Sequence, residues 1–321
     1  MDINALVAIP LGSLAELQLS AEDSLGTFAA AACLLEASAI KAGNVHPHAS
    51  FQDMEYSHFR KSAETVGRTV DQYFHRDGNP TVGECIHELA LATKHSVGVN
   101  TNLGTLILLG PLLLAAKSLA AKGFDASRCS RQAFQQSVAS ILNKLDHSDS
   151  KWIYKSIALV NPGGLGKSQE MDAHASPPES ILDAMRFAQA KDDVAKQWVT
   201  DFEIVFSLAN RLDHSRWSHT ETIGTDWLRM ISDIQIEYLS NHIDSLIARK
   251  NGTEVASEVK YRAFRLNGLR MAKDVEFDSS WREFDAFLRA DGHRLNPGTT
   301  ADLIVAAMFV ALIFSASQPL V

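Results

Sequence analysis

Apolar residues recur three and four positions apart through almost the whole chain, and segments that alternate every second residue are nearly absent. That pattern puts apolar groups on one face of successive α-helices and leaves little from which to build a sheet. Residues 55–75, 82–94, 103–121, 130–145 and 151–160 read as helices in the first half. Residues 178–190, 192–212, 220–249, 254–269, 279–289 and 299–315 do so in the second. Ser20 with Asp23 has the spacing of a capping box that opens a further helix running through Ala39. Only residues 152–160 carry some β character. The expectation is a compact, all-α domain of about a dozen helices around one or two hydrophobic centres. It spans 1–321 as a single domain, with the loop 161–178 as its one soft boundary.

Two stretches are apolar on every side. Residues 106–116 are short and contain Pro111, and residues 303–316 run for 14 positions without a charge. Both fall short of the roughly 18 residues expected of a membrane span, so they are expected as buried core helices near 103–121 and 299–316. The net charge is −8 and no basic run stands out, which argues against a nucleic-acid partner. Cys33, Cys85 and Cys129 are odd in number and widely spaced, unlike a disulfide framework or a thiolate zinc site. Residues 1–12 lack Lys and Arg and make a poor signal peptide, so a cytoplasmic location is expected, with no membrane partner.

Two motifs are decoys. Gly163-Gly164-Leu165-Gly166-Lys167-Ser168 ends like a phosphate-binding loop, but Asn161 stands where the first glycine belongs, and a long loop with Pro177-Pro178 takes the place of the helix that should come at once. His46-x-His48, and Asp213-His214 with His219, lack further ligands at a recognisable spacing.

Four polar clusters sit where helices break. The first is Glu36 with Lys41-Ala42-Gly43-Asn44, and Asp53 a little further on. The second, Gly98-Val99-Asn100-Thr101-Asn102-Leu103-Gly104, precedes an apolar helix, where backbone N–H groups suit phosphate or simply accept a cap. The third runs from Asp244 to Arg249-Lys250-Asn251-Gly252. The fourth is Asn296-Pro297-Gly298-Thr299-Thr300-Ala301-Asp302, with Asp302 expected in the first turn of the next apolar helix.

In this order and spacing the clusters resemble the triphosphoribosyl-dephospho-CoA synthase family, which makes the precursor of the prosthetic group of citrate lyase and malonate decarboxylase. Ala42 stands where that family usually has proline, and Asn102 where it usually has histidine. The 244–252 stretch keeps the acid and the basic pair but not the usual Thr-Asn and His. The chain is therefore similar to a divergent branch found near tetrahydromethanopterin-dependent one-carbon genes. The resemblance implies ATP as substrate with Mg²⁺, dephospho-CoA or another small molecule as acceptor, and adenine as leaving group.

That chemistry needs a carboxylate beside the cationic ribose, a base for the acceptor hydroxyl, and charge for the triphosphate. Glu36, Asp53 and Asp302 are the candidates for catalysis and for holding the metal, with their individual roles open. Lys41, Arg249 and Lys250 are the phosphate cations. Asn44, Asn100, Thr101, Asn296 and Thr299 supply neutral hydrogen bonds, and Gly104 and Gly298 complete the nucleotide-binding set. Glu36, Lys41, Asn100 and Asp302 are expected to converge on one cleft. Two rival readings remain: a related nucleotide- or pterin-acting enzyme of one-carbon cofactor synthesis, and a nucleotide-binding protein without turnover. The long apolar helices fit a core or a homodimer interface equally.

Overall fold

The computed structural model describes residues 1–120, 130–160, 176–212 and 226–316. The phosphate-loop decoy, and Asp213-His214 with His219, lie outside the described residues. Sixteen helices occur among those described. The first eight are α1 (Ile3–Val7), α2 (Leu11–Leu14), α3 (Leu25–Ser38), α4 (Tyr56–His75), α5 (Val82–Val97), α6 (Leu103–Ala120), α7 (Arg131–Leu142) and α8 (His147–Val160). The rest are α9 (Ile181–Ala188), α10 (Asp193–Val199), α11 (Glu203–Arg211), α12 (Trp227–Asn241), α13 (Ser245–Asn251), α14 (Thr253–Ala272), α15 (Phe277–Arg289) and α16 (Gly298–Ser315). No strand occurs among the described residues; a lone bridge joins His46 and Ala49.

The protein is all-α, as the periodicity predicts, but its breaks are finer. The expected helix at 192–212 is two, because Asp201 and Phe202 both take positive φ (50° and 61°) and turn the chain between α10 and α11. The expected helix reaching Arg249 ends at Asn241 and restarts at Ser245, where Asp244 caps α13 through the N–H groups of Leu246 and Ile247. At the first predicted start, Asp23 folds back onto Ser20 and closes a turn of its own. Ser24 caps α3 instead, accepting from the N–H of Thr27. Residues 152–160 are helical.

The core explains the two all-round apolar stretches. Helices α6 and α16 are each 18 residues long, long and apolar enough to cross a membrane, so the length argument against a span does not hold. Burial does the deciding: α16 packs against α3, α6, α11 and α12, and every residue from Leu303 to Phe314 is buried. Each fully buried Leu or Phe there stabilises the fold by about 1.5–3 kcal/mol. A second, smaller hydrophobic centre forms from α12, α13, α14 and α15, with Ala42 inserted from the loop after α3. The loops that enter α6 and α16 meet between these helix groups, and that is where the polar clusters converge.

Candidate functional site

At the end of α3, Lys41 turns inward, only 1% exposed, and its Nζ donates to the carbonyls of Glu36 and Ala39. Those carbonyls are among the orphans that every helix C-terminus leaves. Nζ also lies 3.2 Å from Glu36 Oε1, out of line for a hydrogen bond, so that oxygen is held by charge alone. Burial pushes the Glu36 carboxyl up and the Lys41 ammonium down, and each is opposed by the charge of the other. Lys41 thus has three partners and does not line the cleft.

Next to it, Ala42 donates its N–H to Gln235 Oε1 at 3.0 Å and accepts from Gln235 Nε2 at 2.9 Å. A proline there could not make the first bond. Gly43 needs to be glycine: its φ is +72°, and a Cβ would sit 2.8 Å from Leu288. Asn44 accepts from Gln235 Nε2 at 2.7 Å and donates to Asn296 Oδ1 at 2.5 Å, tying the first cluster to the fourth.

The second and fourth clusters meet at the start of α6. Asn100 Oδ1 accepts from the N–H of Leu103 at 3.2 Å, while Thr101 and Asn102 both donate to Ser62 Oγ. Asp302 lies in the second turn of α16, one turn later than expected, and its carboxylate faces the N-terminus of α6 rather than that of its own helix. Its Oδ1 accepts from Thr105 N–H at 2.8 Å and from Thr105 Oγ1 at 2.6 Å. Its Oδ2 accepts nothing among the described residues and borders the cleft. A Cβ added to Gly104 would lie 2.1 Å from that oxygen. Burial, with a smaller push from the Glu36 charge, raises the Asp302 carboxyl to about 7 against the pull of Thr105.

The third cluster forms the far end. Asp244 Oδ1 accepts from Leu246 and Ile247, and its Oδ2 accepts from the N–H and hydroxyl of Thr300, each at 2.7 Å. Thr299 is buried and accepts from Ser245 Oγ. Gly298 approaches Leu246 so closely that a Cβ would be 2.6 Å from its Cδ2. Arg249 pairs with Asp192 at 2.7 Å. Lys250 makes no ion pair among the described residues, and partial burial lowers its ammonium despite the charges of Asp244 and Asp53. Asp53 is more than half exposed and lies 3.4 Å from His293.

Together these walls enclose a cleft of about 1020 Å³. Every residue expected in the site except Lys41 lines it, Glu36, Asp53 and Asp302 included. One wall is apolar: Tyr154 and Ile157 of α8, Ile181, Met185 and Phe187 of α9, and Val194 of α10. No group of three potential metal ligands occurs among the described residues, so Glu36, Asp53 and Asp302 do not form a ready cation cage, and His46 with His48 gain no third ligand. Sequence reasoning missed Thr105 and Gln235. Thr105 was within reach, because a hydroxyl comes directly after Gly104 at the head of a helix that carries no charge before Lys117. Gln235 was not, since it lies mid-helix and about 190 residues from its partners.

The model of the family described as ATP:dephospho-CoA triphosphoribosyl transferase (CitG) matches residues 22–319. No curated protein matches the chain. Among solved structures, a protein of Archaeoglobus fulgidus provisionally assigned as a triphosphoribosyl-dephospho-CoA synthase matches with a TM-score of 0.56 and 18% identity. The match covers 78% of this chain and 96% of that one, and it speaks for the fold.

Proposed function

Because the chain belongs to the ATP:dephospho-CoA triphosphoribosyl transferase family, and is thereby a transferase whose family uses ATP and dephospho-CoA, we propose that the cleft is where the transfer occurs. The observation that carries this reading is the half-occupied carboxylate of Asp302 in a cleft whose walls are the four polar clusters. In the reaction the bond between the ribose C1″ of ATP and adenine breaks, and the 2′-hydroxyl oxygen of the acceptor bonds to C1″. The acceptor hydroxyl loses its proton and adenine leaves with one. Positive charge builds on the ribose as the bond breaks, and a fixed carboxylate in a partly dry site stabilises it.

We assign that task to Asp302, whose open oxygen borders the cleft, with Glu36 behind it. Asn44, Asn100, Thr101, Asn296 and Thr299 would orient ribose and base, with Gly104 and Gly298 keeping the backbone close. The triphosphate would run toward Lys250, which, like Lys94 and Lys191 on the same cleft, makes no ion pair among the described residues, with Arg249 beside it. Lys41 would act indirectly, its charge opposing the burial that pushes the Glu36 carboxyl up.

Mg²⁺ commonly binds through one or two carboxylates and the phosphates themselves, so the absence of a three-ligand group among the described residues fits a metal that arrives with the nucleotide. Asp53, at the rim near Lys250, would be its protein ligand. When bound, the ion neutralises part of the triphosphate charge. The apolar wall of α8 and α9 suits the less polar length of a CoA-like acceptor. Such metabolite chemistry fits a cytoplasmic setting.

Incubating the pure chain with ATP and dephospho-CoA, and measuring free adenine and the triphosphoribosylated product by mass spectrometry, tests the reading. Product formation is expected. ATP binding without adenine release would leave only a nucleotide-binding protein, whereas adenine release with a pterin acceptor alone would move the chain to the one-carbon alternative.

A further inference from the structure

We propose that Thr105 is a positioning residue of the transfer reaction: it holds one oxygen of Asp302 so that the other is presented to the reacting ribose. The inference rests on the role assigned to Asp302 above. A carboxylate on a helix can swing about its terminal bond, which has broad wells. Thr105 stops that motion by converging two donors from one residue, N–H at 2.8 Å and Oγ1 at 2.6 Å, on Oδ1. The opposite side is limited by Gly104, where any side chain would fall on Oδ2. One oxygen is fixed and the other has room only because residue 104 has no Cβ.

The hydroxyl of Thr105 stands in the first turn of α6, with no helical carbonyl four residues back. Thr65, Thr93 and Thr200 each send theirs back to the carbonyl four residues earlier, the ordinary habit of threonine in a helix. Thr105 is 3% exposed and commits its hydroxyl across 197 residues to Asp302. A bond that merely stapled α6 to α16 would not require the second oxygen to be free. The Thr300–Asp244 bond is such a staple, and there both oxygens are taken.

Thr105→Val keeps the shape and the N–H and removes the hydroxyl. In the adenine-release assay it should lower kcat by about 100-fold, the scale of a small misplacement of a reacting group. KM for ATP should stay within about threefold, because ground-state binding is untouched. Thr105→Ser should restore kcat to within about threefold, and Thr105→Ala replaces the valine variant should that one not fold. In an Asp302→Asn background Thr105→Val should cost nothing further, since a residue that acts through Asp302 has nothing left to position. A hydroxyl-free variant with wild-type kcat overturns the inference, as does a serine variant no better than valine or a full additional loss in the Asp302→Asn background. Asp302→Asn with normal turnover sinks the site assignment itself. Loss of turnover in Asp302→Asn beside a fully active Thr105→Val sinks only the role given to Thr105.

Discussion

Asp244 and Asp302 meet helix N-termini in the same way and end in opposite states. Each receives the N–H and the hydroxyl of a threonine that stands third in an apolar helix, Thr300 of α16 for one and Thr105 of α6 for the other. Asp244 then commits its second oxygen to two more backbone donors at the start of α13 and is 2% exposed. Asp302 keeps its second oxygen open to the cleft. The difference separates a carboxylate that completes the fold from one that can meet a substrate. The cations divide likewise: Lys41 and Arg249 are engaged, whereas Lys250 has no ion pair among the described residues.

The largest expected effect breaks the first half of the comparison. Asp302→Asn should lower turnover by about 100-fold or more while the melting temperature changes little, read by adenine release and thermal melts. Normal turnover would make Asp302 a second Asp244. Gly104→Ala asks whether the open oxygen matters in place: the new methyl group would displace it, and turnover should fall by about tenfold to 100-fold. Asp244→Asn is the mirror case. It should cost about 1–3 kcal/mol of stability in urea melts, because buried donors lose an acceptor. Variants that fold should keep KM for ATP. Lys250→Ala should then weaken ATP binding by about 1.5–3 kcal/mol in calorimetry, and Arg249→Ala by less, since Arg249 is already paired with Asp192.

A further effect lies in the pH dependence of stability. The Asp302 carboxyl is raised to about 7, so between the ordinary carboxylate range and that value the native state binds a proton that the unfolded chain has released. Its contribution to stability is therefore full at low pH and declines as pH rises from about 4 to about 7. Urea melts across that window should show a shallower decline in Asp302→Asn. An unchanged slope would mean that the carboxyl is not raised.

The range of each interaction decides whether the sequence makes it legible. The helical periodicity and the burial of α6 and α16 are local properties of side-chain pattern, and they hold. The four clusters were visible because glycine, asparagine and threonine gather where helices break. Whether a charged group was free was not readable, because that depends on partners far along the chain. Lys41 looked like a phosphate cation, as Arg249 and Lys250 did, yet helix α3 turned it onto its own last carbonyls. Asp302 was expected in the first turn of its own helix as a candidate for catalysis or metal, and the docking of α6 made it a partner of Thr105. The break at Asp201-Phe202 carried no glycine or proline to announce it.

The position of α16 also has a consequence for how the molecule comes into being. The helix at the centre of the core is the last of the described sixteen, so a growing chain must hold α3 and α6 without one of their partners until nearly all the described residues have been made. During that interval wide apolar faces are open to other chains, the condition that favours aggregation and calls for chaperones. Asp302 arrives on the same helix. The cleft and the hydrophobic core are therefore completed in one late docking event, and a chain still short of that event has neither.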